Sequence, residues 1–155
     1  MEITRETDYA IRCVLYLSRK EDTVIMADEI SRAMSVPKSF LAKILQKLTK
    51  AGVVTSFRGV KGGFRLARKP KQISLLDIIE AIEGPAAMNR CATDASLCNF
   101  SGICTVHPVW VKLRKMVEDY LRKTDFKALS ASSSLKGNKK VYNDKKDSLG
   151  VRTNS

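Results

Sequence analysis

Val53-Val54-Thr55-Ser56-Phe57-Arg58-Gly59-Val60-Lys61-Gly62-Gly63-Phe64-Arg65-Leu66-Ala67 alternates two short apolar runs around a glycine-rich, basic tip. Val53–Phe57 and Phe64–Ala67 carry the β-branched and aromatic residues that suit strands. The glycines supply the positive φ that a hairpin loop demands. The stretch therefore predicts a β-hairpin whose tip presents Arg58 and Lys61. A glycine-rich basic loop also suits a nucleotide phosphate, but this one does not match Walker A, and no dinucleotide fingerprint occurs.

Helical patterns precede the hairpin. Ala10, Cys13, Val14 and Leu17 fall at core spacing within a helix of about Arg5 to Lys20. A short helix follows over Ala27–Met34. Pro37 stands near the start of a third, where a missing N–H costs nothing, and Gly52 closes it. Phe40, Leu41, Ile44, Leu45 and Leu48 form its apolar face, which leaves Ser39, Lys43, Gln46 and Lys50 on the opposite side. Three helices and then a basic hairpin make a winged helix-turn-helix. Its third helix enters the DNA major groove, and its wing sets cations against phosphates or a narrow minor groove.

Charge agrees with that order. The 155-residue chain carries a formal +12. Between Val36 and Gln72 the charged residues are Lys38, Lys43, Lys47, Lys50, Arg58, Lys61, Arg65, Arg68, Lys69 and Lys71, with no Asp or Glu. A basic stripe on folded elements is the footprint of a polyanion partner. The DNA-contacting residues expected from helix face and wing are Lys38, Ser39, Lys43, Gln46, Ser56, Arg58, Lys61 and Arg65.

A second chemistry lies downstream. Cys91, Cys98 and Cys104, with the chain's single histidine at His107, fall within 17 residues. The first twenty residues are charged and lack an apolar signal core, so a reducing cytoplasm is expected. There, such cysteines read as metal-binding or redox-active rather than as disulfides. The gaps of six, five and two residues contain no tight zinc knuckle. Wide spacing on a loop favours an iron–sulfur cluster modestly, although three Cys and one His also make a legal zinc site. Cys13 lies on the core stripe and reads as packing.

Ser74 and Asp77 mark the capping box of a fourth helix, which Gly84-Pro85 stops. Pro108 opens a longer one, with Val109, Trp110, Leu113, Met116, Val117, Tyr120 and Leu121 as an apolar stripe that suits packing against a second copy of the chain. Two-fold proteins pair with palindromic DNA. The fold expected is mostly α with a small β-hairpin wing: a winged helix-turn-helix plus a long C-terminal dimerisation helix. Its divisions are 1–84 for DNA binding, 85–107 for the cysteine loop, 108–129 for dimerisation and 130–155 for a disordered basic tail. No membrane-spanning run and no catalytic constellation occur, so a non-enzymatic regulator is expected. The outlying alternative is a small iron–sulfur electron carrier.

Over residues 1–129 the chain resembles the Rrf-type winged-helix transcription regulators, the family of the iron–sulfur regulator IscR and the nitric-oxide sensor NsrR. The resemblance rests on Ile3-Thr4, Thr7-Asp8-Tyr9-Ala10, Ser39-Phe40-Leu41 through Ala51-Gly52, the wing Ser56 to Leu66, Ile82-Glu83-Gly84 and the three cysteines. It implies a homodimeric DNA-binding regulator, typically a repressor, with an iron–sulfur cluster on Cys91, Cys98 and Cys104. It places Ser39 on the recognition helix and Arg58 at the minor groove. The first cysteine gap is six residues where the commoner pattern has five. For the fourth ligand the resemblance offers His107, as on an IscR-like 2Fe–2S cluster, or the partner subunit's Asp8, as on an NsrR-like 4Fe–4S cluster. His107 with 2Fe–2S is slightly favoured.

Overall fold

The computed structural model describes residues 2–131, and six helices and one hairpin build it in the expected order. Helix α1 (Arg5–Arg19) starts where Thr4 accepts from the Thr7 amide, and Glu6 and Asp8 put negative charge in its first turn. Its stripe Ala10, Cys13, Val14 and Leu17 is fully buried. Helix α2 (Ala27–Met34) ends at Ser35, which takes the left-handed conformation at φ 53°. Only Val36 and Pro37 separate Ser35 from α3 (Lys38–Lys50), so α2 and α3 form a tight helix-turn-helix. Leu41, Ile44, Leu45 and Leu48 of α3 are buried as expected. Phe40 is not: it lies exposed at the rim, edge-on to the Tyr9 ring at 5.7 Å between centroids.

The wing pairs β1 (Val54–Phe57) with β2 (Gly63–Leu66) in antiparallel register, Val54 opposite Leu66 and Phe57 opposite Gly63. A third segment joins it. The amide and carbonyl of Ile25 exchange hydrogen bonds of 2.9 and 2.8 Å with Phe64. This contact fixes the wing against the segment ahead of α2, and it requires glycine at 63, because a Cβ there would overlap the Ile25 carbonyl oxygen.

Helix α4 (Leu75–Glu83) carries the full capping box: Ser74 Oγ accepts from the Asp77 amide at 3.2 Å, and the Ser74 amide donates to Asp77 at 2.8 Å. Gly84, at φ 86°, turns the chain out of α4. The cysteine loop follows, and α5 (His107–Lys123) after it.

The expected helix over 108–129 is broken. It ends at Lys123, and a separate short helix, α6 (Phe126–Ala131), returns to the winged head. The Leu75 amide donates to the Thr124 carbonyl at 2.8 Å and the Phe126 amide to that of Ile73 at 3.0 Å. These bonds seat the Phe126 ring wholly inside the core, beside α1. Burying such a ring stabilises by about 1.5–3 kcal/mol, enough to end α5 early. Ser130 and Ala131 are thus helical, not the start of a tail. The rest of the expected 130–155 tail lies outside the described residues.

Candidate nucleic-acid interface and cysteine loop

On α3, Ser39, Lys43, Gln46 and Lys50 are exposed on one face, and Ser56, Arg58 and Lys61 are exposed on the wing. Among the described residues Lys43, Arg58 and Lys61 enter no ion pair, so their charge is available to phosphate. The wing tip is a set turn: the Gly62 amide donates to the Gly59 carbonyl at 2.9 Å, and a Cβ on Gly62 would meet the Phe57 oxygen at 2.5 Å. Val60 stands out from it, 98% exposed. Arg65 is half-buried, with its guanidinium over the Phe57 ring at 5.0 Å.

Other cations of the acid-free run, among them the expected DNA contact Lys38, are engaged within the chain. Lys38 pairs with Asp28 of α2 at 3.0 Å, in an exposed contact that water screens and DNA can replace. Arg68 donates to the Gln72 carbonyl at 3.1 Å and lies 3.8 Å from Asp77. Lys47 also turns inward, toward α1 and α4. The acid-free run is therefore not one uniform DNA face.

The loop between α4 and α5 holds Cys91, Cys98 and Cys104, all free and all half-buried. Short turns shape it. Cys91 sits within a 3-10 turn over Arg90–Ala92, and Cys98 closes another over Ala95–Leu97. Asp94 caps that second turn through the Ser96 hydroxyl and amide, which hold its carboxyl below the usual range. The Cys104 amide donates to Phe100 at 2.8 Å, and the His107 amide donates to the Cys104 carbonyl at 3.2 Å. The loop is tied to α5 by Arg114, whose guanidinium donates to the Ala92 carbonyl at 2.8 Å and to Glu118 at 2.6 Å. Nothing local in the sequence encodes the reach of Arg114 back to Ala92.

The donor set fits a thiolate-bound group: three unpaired thiols on one loop and a His107 Nδ1 that is buried without a hydrogen-bond partner among the described residues. The positions do not yet converge, because no three Cys, His, Asp or Glu side chains gather closely enough to hold an ion among the described residues. Asp8 already has a partner, Arg12 at 2.6 Å one turn along α1. Cys13 stays out of this chemistry. Burial pushes its thiol up to about 12, against a smaller opposing effect of Arg12.

Helix α5 buries none of its residues within the chain. Trp110, Leu113, Val117 and Leu121 are half-covered, while Val109, Met116 and Tyr120 lie open, Tyr120 at 73%. Phe100 and Ile103 of the loop are exposed as well.

Comparison with known proteins decides the family. The profile of the Rrf2 family, described as an iron-dependent transcriptional regulator, matches residues 3–132. The chain belongs to the Rrf2 family. A provisionally named HTH-type transcriptional regulator of Aquifex aeolicus (strain VF5) is 33% identical over 123 residues, covering 78% of this chain and 85% of that one. Two solved structures share the fold. CymR, the global cysteine regulator of B. subtilis, has a TM-score of 0.69 at 23% identity, covering 84% of this chain and 97% of its own. IscR of T. potens has 0.68 at 22%, covering 88% and 91%. This Rrf2-family member is thus a DNA-binding transcription regulator with a winged-helix head, not an enzyme. None of its described helices is long and apolar enough to cross a membrane.

Proposed function

We propose that this regulator is a homodimeric repressor whose DNA affinity is set by an iron–sulfur cluster on the loop between α4 and α5. The observation that carries the reading is that loop's donor set: Cys91, Cys98 and Cys104 free, with the buried Nδ1 of His107 unpartnered beside them. Cys91, Cys98 and Cys104 are the thiolate ligands. His107 is the fourth, since its imidazole has no competing bond, whereas the alternative, the partner subunit's Asp8, would first have to leave an ion pair with its own arginine. A 2Fe–2S cluster suits this mixed set. Bound there, it supplies redox and nitric-oxide sensitivity, with the single nitrogen ligand as its labile corner.

The thiols must move together to ligate, because they do not converge as folded. Drawing them in orders the loop and bears on α5 through the Arg114–Ala92 bond. The bare stripe of α5 supports dimerisation: Val109, Met116 and Tyr120 have no cover in one chain. A dimer presents two α3 helices to a palindromic operator, with Lys38, Ser39, Lys43 and Gln46 at the major groove and Ser56, Arg58, Lys61 and Arg65 at the wing. Residence in a reducing cytoplasm goes with free thiols.

Purification without air, followed by iron and sulfide analysis and visible absorption, tests the cofactor. Iron and sulfide with a coloured protein support the reading. Stoichiometric zinc in a colourless protein replaces it with a zinc-dependent repressor, and the absence of both metals removes the cofactor altogether. His107→Ala and Asp8→Ala, examined by the same spectra, separate the two candidates for fourth ligand.

A further inference from the structure

Lys47 belongs by sequence to the acid-free basic run and by position to the recognition helix. Its contacts belong to neither. Its ammonium lies 2.9 Å from the Glu6 carboxylate on α1 and donates to the Ile82 carbonyl oxygen at 3.3 Å. One residue on, Glu83 Oε1 accepts from the Thr4 amide and hydroxyl, each at 2.9 Å, and from the Thr7 hydroxyl. A single amine therefore joins α3, the first turn of α1 and the last turn of α4. That last turn is also where Gly84 sends the chain out toward the cysteine loop.

A half-exposed ion pair of this kind adds little to stability. What it does fix is direction. The Ile82 oxygen belongs to the unpaired carbonyls at the end of a helix, which attract cations. Lys47, reaching from α3, sets how far that helix lies along the end of α4. Lys43, one turn earlier, faces solvent and has no such bonds among the described residues.

We infer that Lys47 is a positioning residue for DNA recognition, holding α3 against the Ile82–Glu83 turn so that a displacement of this turn by the cysteine loop reaches the side chains that read bases. The transmission rests on the regulatory reading of the loop; the seating of α3 does not.

The test measures binding of the full-length protein to operator and to random duplex across a range of salt, for wild type, Lys47→Met, Lys47→Arg and Lys43→Met. Each is assayed before and after blocking the loop thiols with N-ethylmaleimide. Lys47→Met should keep the melting temperature and the salt slope. Its operator-to-random ratio should fall by roughly 2- to 30-fold, the range by which residues between coupled sites act. Lys47→Arg should restore the ratio, and blocking the thiols should alter operator affinity less in Lys47→Met than in wild type. A salt slope reduced by about one, as expected for Lys43→Met, would put Lys47 on phosphate and overturn the proposal. An unchanged ratio would overturn it too. Wild-type binding that ignores thiol blocking would remove the transmission together with the loop's regulatory reading, and the Lys47→Met ratio would still decide the seating.

Discussion

Arg114 of α5 donates to the carbonyl oxygen of Ala92, the residue next to Cys91, at 2.8 Å. This bond ties helix α5 to the cysteine loop. Replacing Arg114 by Met should leave helix content unchanged and speed the reaction of the loop thiols with a chromogenic disulfide. A hydrogen bond to a charged group is worth about 1.5–3 kcal/mol, so the opening equilibrium, and with it the labelling rate, should rise by about tenfold or more. Equal rates in the two proteins would show that the bond does not hold the loop.

The four cysteines should divide three to one. Cys91, Cys98 and Cys104 are half-buried, while Cys13 is enclosed and its thiol is pushed up to about 12. Alkylation of the metal-free native protein near neutral pH should label three sites by mass, and the fourth only after unfolding.

If the loop holds the proposed cluster, Cys91→Ala and Cys104→Ala should abolish iron binding and change operator affinity by about 5–150-fold, the usual range for coupled sites, with little change in melting temperature. Cys13→Ser should do the reverse. Its hydroxyl would enter a dry core at a cost of about 1–3 kcal/mol, with iron retained. Unfolding of the loop variants would instead mark a structural metal.

Much of the head was legible because its signals are local. Pro37, Gly52, Ser74 with Asp77, and Gly84 act on the turn in which they stand, and α3 and α4 begin and end close to where those residues predict. What escaped is non-local. Six residues, Phe-Lys-Ala-Leu-Ser-Ala, carry too little periodicity to reveal α6; only the pocket that receives Phe126 gives it meaning. Phe40 fits the apolar face by angle yet sits past its edge. The cysteines were recognisable from residue type alone, but a loop without periodicity does not encode how its thiols approach one another. Lys47 looked like its neighbours because charge says nothing of direction.

Phe126→Ala should be severe. Truncating a fully buried ring costs about 3–5 kcal/mol, a large share of a domain's usual stability. Urea unfolding should show a lower midpoint, with α6 lost from the head. A midpoint near wild type would mean that the clasp contributes little.

Acid should weaken the junction of α1 with α4. Burial opposes ionisation of Glu83, but hydrogen bonds from Thr7 and Thr4 and the charge of Lys47 outweigh it and hold the carboxyl below its ordinary 4.5. A carboxylate depressed in the folded state stabilises above its unfolded value, and that contribution disappears as pH falls through the folded one. Glu83→Gln should therefore flatten the decline in melting temperature below about pH 4.5, and leave the slope near neutrality alone. An identical acid limb in both proteins would contradict the assignment.

The chain leaves the end of α4 at Gly84 and comes back to its beginning at Thr124, where the carbonyl receives the Leu75 amide. Helix α5, about 25 Å long at 1.5 Å per residue, is thereby pinned at its far end while its near end hangs on the loop. If a cluster draws the loop thiols together as proposed, the contraction would swing this lever about its pin without sliding it away. A tilt of a few degrees becomes a shift of about 1–2 Å at the free end, on the scale of helix shifts at subunit interfaces.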